Sequence, residues 1–174
     1  MPRSARWVLA GFVGTLLGLS AGVASAEDIS GIISTTRVIR EHSQLIGNVT
    51  CLVTGAPCIT FGAPRITLRL EGFTMTGQAD PNTGCGGSLQ AGEMGITSGG
   101  QDDVEIRGPG IVQRFRADGV FFTGTLRGKV ENITVTTNCQ SGIRVAATAG
   151  HITVTGNIAV RNGNTQAGAA CGGI

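Results

Sequence analysis

Gly95-Ile96, Gly119-Val120, Gly142-Ile143 and Gly173-Ile174 repeat one local pattern at spacings of 24, 23 and 31 residues. After three of them an alternation continues: Ile96 to Ser98, Val120 to Phe122, Ile143 to Val145. Residues two apart on a strand share a side. These pairs are therefore expected to point inward, with Ile174 extending the row, while Thr97, Phe121 and Arg144 point outward. A second column runs in step with the first: Gly72-Phe73, Gly110-Ile111, Asn132-Ile133 and Asn157-Ile158. Gly and Asn most readily accept the left-handed backbone conformation that a sharp corner between strands requires. Two columns advancing together, at a period in the low twenties, constrain the chain to stacked short strands. One repeat buries its apolar side only against the next.

The expected fold class is all-β, a parallel β-solenoid. An antiparallel sandwich gives no reason for two turn columns to repeat in step. Composition agrees with a folded β chain, at 41% hydrophobic residues and with abundant Thr, Ile and Val.

The N-terminus sets the expected compartment. Arg3 and Arg6 precede an apolar stretch from Trp7 to about Val23, and Ala-Ser-Ala follows. These are the parts of a secretory signal peptide, with cleavage expected after Ala26. Gly11, Gly14, Gly18 and Ser20 interrupt the stretch, which argues against a membrane anchor. Export to the periplasm or the extracellular space is expected, with no membrane contact after cleavage. Removing residues 1–26 takes two of the 13 basic residues and leaves 11 against 11 acidic ones. A nucleic-acid partner is not expected, because no basic stripe remains. In an exported chain the five cysteines are read as disulfide formers. Cys51 and Cys58 flank a turn at Gly55 and Pro57 and are the favoured pair; Cys85, Cys139 and Cys171 remain unassigned.

From "LIGNVTC" onward the chain resembles the right-handed parallel β-helix repeat proteins of the pectate-lyase-like superfamily. "PRITLRLEGFTMTG", "VEIRGPGIV", "VENITVTTN" and "HITVTGNIAVRN" look like its coils. The resemblance implies a right-handed parallel β-helix of about six coils over residues 27–174. Gly173-Ile174 looks like the opening of a further coil, so the sequence is expected to be the N-terminal part of a longer protein. Self-association through the exposed coil edge is the alternative. Relatives of this fold act on polysaccharides as lyases, hydrolases or epimerases, using acids on the outer face as calcium ligands or as acid and base. The Gly-His-Gly segment that accompanies an acid pair in the polygalacturonases is absent here.

Candidate chemistry is correspondingly sparse. Asp102 and Asp103 form an adjacent acid pair and are the candidate calcium ligands. Arg116, Asp118, Phe121 and Arg144 make the candidate ligand site. In the repeat register Asp118 stacks on Ser141, and Arg144 lies beside Phe121, an arrangement suited to a sugar ring and a carboxylate. Thr-x-Thr at 74–76 and 134–136 falls at equivalent places, with Val112 and Arg114 expected between them. The functional expectation is an exported glycan-binding or structural module without catalysis of its own. The N-terminal part of a polysaccharide lyase, hydrolase or epimerase is the alternative.

Overall fold

The structure, a computed structural model, describes residues 26–80, 91–163 and 173–174. Most of the expected signal peptide, Cys85 and Cys171 lie outside the described residues. Those residues contain strands and turns and no helix. Three strands come first: Glu27–Ile33 (β1), Arg37–Ile39 (β2) and Ser43–Cys51 (β3). Four sets of three short strands follow. They are Ile59–Phe61, Thr67–Arg69 and Thr74–Thr76 (β4–β6), then Ile96–Thr97, Glu105–Arg107 and Ile111–Gln113 (β7–β9). The last two sets are Val120–Phe122, Lys129–Glu131 and Thr134–Thr136 (β10–β12), and Ile143–Val145, Thr153–Thr155 and Ile158–Val160 (β13–β15).

All pairing is parallel. One ladder runs β5-β8-β11-β14, a second β6-β9-β12-β15, and a third β2-β4-β7-β10-β13. The long β3 joins the first two ladders into one sheet, pairing Gln44 with Arg69 and Val49 with Met75. Alternation decides what is buried. Leu68, Ile106 and Val130 stack in one inner row, Met75, Val112 and Val135 in another, and Ile59, Ile96, Val120 and Ile143 in a third. Every one of these side chains is at most 1% exposed. Full burial of such a side chain contributes about 1.5–3 kcal/mol.

The first glycine column has a different cause from the one its composition suggests. Ile59, Ile96, Val120 and Ile143 donate their N–H groups to the carbonyls of Gly95, Gly119, Gly142 and Gly173, at 3.0, 3.0, 2.9 and 3.1 Å. None of these four glycines takes positive φ. A Cβ on Gly95 would stand 2.5 Å from the Gly119 carbonyl oxygen, and one on Gly142 would stand 2.7 Å from that of Gly173. Close stacking, not left-handed geometry, requires glycine here.

The second column resolves into two. Gly72 and Asn132 take positive φ, together with Gly156. Gly110 and Asn157 stand one residue later in the register, level with Phe73 and Ile133. A Cβ on Gly110 would run into the Leu70 side chain, and the Asn157 Oδ1 accepts the Ile133 N–H at 3.0 Å. The Thr-x-Thr register shifts for the same reason, so Thr74 and Thr76 face Ile111 and Gln113 instead of Val112 and Arg114. Other corners carry non-glycine residues at positive φ, in two further columns. Arg65, Asp103, Arg127 and His151 form one, and Arg114, Thr137 and Arg161 the other.

Two expected core residues are exposed. Val145 lies on β13, the edge strand of its sheet, and is 43% exposed. Ile174 is 71% exposed although Gly173 continues the column. Cys51 and Cys58 are disulfide-bonded, with Cα atoms 5.9 Å apart. Cys139 is also disulfide-bonded and has no exposed surface.

Candidate functional site

The outer row of the five-stranded sheet reads Val38, Thr60, Thr97, Phe121 and Arg144. Strand pairing places Phe121 and Arg144 in direct register, and the guanidinium carbon lies 4.9 Å from the Phe121 ring centroid. That separation is within the range in which an aromatic face attracts a cation. Asp118 sits at the turn before β10, fully enclosed. Its Oδ1 accepts the Ser141 N–H at 2.9 Å, and its Oδ2 accepts from Arg144 Nη1 at 3.4 Å. The carboxylate thus holds the turn of the next level and orients the guanidinium from behind. Arg144 remains about half exposed, at 48% of its side chain, so its outer N–H groups face solvent.

Arg116 does not join this group. It forms a two-point ion pair with Glu93, Nε to Oε2 at 2.5 Å and Nη2 to Oε1 at 2.9 Å. Glu93 is 4% exposed and also accepts the Gly55 N–H at 2.7 Å. Glu93 thus ties the segment before β7 both to the turn between β9 and β10, through Arg116, and to the turn carrying the Cys51–Cys58 disulfide, through Gly55.

Burial pushes the Asp118 carboxyl above its ordinary value of 3.8, against the lowering influence of the Ser141 N–H and the Arg144 charge. An acid raised on folding contributes stability that is present in full below its unfolded pKa. That contribution is lost as pH rises through the folded value. Asp118→Asn removes this titration. The stability of the wild type relative to Asp118→Asn is therefore expected to fall as pH rises from 3.8, measured by thermal melts of both proteins across a pH series. A difference that stays flat, or rises with pH, rules the assignment out.

Sequence reasoning missed the largest charged cluster. Glu105, Arg107, Lys129 and Glu131 alternate in sign on the outer face of β8 and β11. Arg107 pairs with Glu105 and Glu131 at 2.9 and 2.8 Å, and Lys129 with the same two at 3.2 and 2.7 Å. Burial raises the Glu105 carboxyl, but the hydrogen bonds from Arg107 and Lys129 outweigh it and the net shift is downward. The signal was present in "EIR" and "KVE", which carry inverted charges at the same spacing. Asp102 and Asp103 are likewise engaged. Asp102 Oδ1 accepts the Leu126 N–H at 2.8 Å, and both oxygens of Asp103 meet Arg127, at 2.7 and 2.8 Å. The Arg127 hydrogen bond holds the Asp103 carboxyl below its ordinary value. Among the described residues no group of three or more His, Cys, Asp or Glu side chains is placed to hold a metal.

Comparison with family models, with curated proteins and with solved structures finds no match to this chain.

Proposed function

We propose that this chain is an exported right-handed parallel β-helix of about six coils, of pectate-lyase-like architecture, that binds acidic glycans without turning them over. Three parallel ladders in which equivalent strands stack one above another support the architecture. The successive levels β1, β3, β5, β8, β11 and β14 support the proposed coil number. The basic-apolar-small pattern of residues 1–26 and the Cys51–Cys58 disulfide support export.

The observation that carries the binding reading is the Arg144 guanidinium, held over Phe121 and backed by the enclosed Asp118. A planar guanidinium fixed on one side and open on the other presents paired N–H donors to a carboxylate, as on a uronic acid. Five acids of the stack are committed elsewhere. Asp118 has no exposed surface, and Glu93, Asp103, Glu105 and Glu131 are ion-paired. This favours binding over acid-base catalysis within the described residues.

Titration calorimetry with trigalacturonate is the test. The wild type is expected to bind, and Arg144→Ala to weaken binding about tenfold or more, the scale of a lost charged hydrogen bond. Arg144→Lys restores little, because the planar fork is gone. No uptake of trigalacturonate, or equal uptake by Arg144→Ala, sinks the reading. The appearance of new reducing ends or unsaturated product shows turnover and overturns it equally.

A further inference from the structure

A second wall of the molecule carries a groove far along the stack from Arg144. It lies where one continuous strand is stacked against a corner. β3 runs unbroken through Ser43–Cys51, whereas the chain stacked on it turns between β5 and β6. The register of β3 with β5 ends at Gln44–Arg69 and resumes with β6 at Val49–Met75. On the other side the β1 register is also interrupted, between Ile29 and Gly31. Ile46, Gly47 and Asn48 therefore fall in register with neither neighbour. Alternation along β3 turns Ile46 outward, as it does Asn48 and Thr50, and Ile46 is 52% exposed. A shallow groove here, wide open to solvent, is lined by Gln44, Leu45, Ile46, Arg69, Glu71 and Phe73.

The lining mixes apolar and polar side chains, and the charges of Arg69 and Glu71 cancel. Phe73 and Ile46 provide the apolar surface. Arg69 Nε and Glu71 Oε1 form an ion pair at 2.7 Å, with both side chains substantially exposed. The Gln44 amide nitrogen is committed to Asp28 at 2.9 Å, which leaves its carbonyl oxygen as an acceptor. A ligand for this surface is uncharged, has one apolar face and carries several hydroxyls on its rim. We propose that the groove is a subsite for one neutral hexopyranose unit. The C–H face of the ring lies on Phe73 and Ile46, and its hydroxyls donate to Glu71 and Gln44 and accept from Arg69. This deepens the glycan reading above and rests on it for ligand class, but it uses different residues and a different sugar chemistry.

The test is saturation-transfer NMR on the full chain with maltotriose, cellotriose and mannotriose as probes. At least one probe is expected to receive saturation, strongest on the protons of one ring face. Ile46→Ser and Glu71→Gln, both at exposed positions, are each expected to weaken binding about tenfold. Arg144→Ala is expected to leave it unchanged. The proposal falls if no probe receives saturation, or if both groove variants bind like the wild type. It falls also if Arg144→Ala alone abolishes the signal, which assigns neutral sugars to the other site. Trigalacturonate binding is read separately, so failure here and failure of the acidic-glycan reading are distinguishable.

Discussion

Gly95→Ala is expected to lower stability by about 3 kcal/mol, at the upper end of overpacking costs, and the melting temperature by roughly 6–12 °C. The added Cβ would stand 2.5 Å from the Gly119 carbonyl oxygen and 2.8 Å from both Phe115 Cε2 and Val112 Cγ1. None of the three yields readily. The Gly119 oxygen is fixed by the Ile96 N–H at 3.0 Å, and Phe115 and Val112 are buried in the core. Gly72→Ala is the informative control. Gly72 has φ +85° and nothing within 4 Å of where a Cβ would stand, so only the left-handed backbone penalty of about 1–2 kcal/mol applies. Thermal melts followed by far-ultraviolet circular dichroism compare the two. A Gly95→Ala loss no larger than that of Gly72→Ala refutes close stacking as the reason for the column.

That contrast bears on how much of the molecule is legible in the sequence. The period, the inner rows through Ile96, Val120 and Ile143, and the Phe121–Arg144 adjacency all follow from strand alternation, a short-range rule that a sequence displays directly. The turns do not. Gly110 and Asn132 look equivalent because both are small or polar residues before isoleucine, yet they differ by one place in the register. The actual left-handed corners include Arg65, Arg127 and Arg161, a residue type that gives no turn signal. Their conformation is imposed by stacking on the neighbouring level, as where Arg127 meets Asp103. Arg116 was placed with Asp118 by proximity along the chain. Its partner Glu93 is 23 residues away, and nothing local announces the pair.

The Asn138 side chain is the clearest case of a residue whose importance only stacking reveals, and Asn138→Ala is expected to cost about 3–5 kcal/mol. Asn138 has no exposed surface. Its Oδ1 accepts the Phe115 N–H at 3.0 Å, while its Nδ2 donates to the Val112 carbonyl at 3.3 Å and to Asn162 Oδ1 at 3.0 Å. Its own N–H also donates to Asn162 Oδ1, at 3.1 Å. Three successive levels are joined through this one amide. Alanine leaves the buried Phe115 N–H without its acceptor and opens a void beside Gly119, whose hypothetical Cβ lies 2.7 Å from Asn138 Nδ2. Asn162→Ala is expected to cost less, since Asn162 is only half-buried and the amide below it keeps its bonds to Phe115 and Val112. Asn138→Asp separates hydrogen bonding from shape. Its carboxylate keeps an acceptor for Phe115 but faces the Val112 and Asn162 oxygens with no proton to donate. Burial raises such a group's pKa, so the variant is expected to be strongly destabilised near neutral pH and to recover relative to wild type as pH falls. Denaturant unfolding at neutral and acid pH measures both effects. An Asn138→Ala loss within about 1 kcal/mol of wild type, or an Asn138→Asp deficit that does not shrink in acid, removes the amide ladder from the account of what holds the levels together.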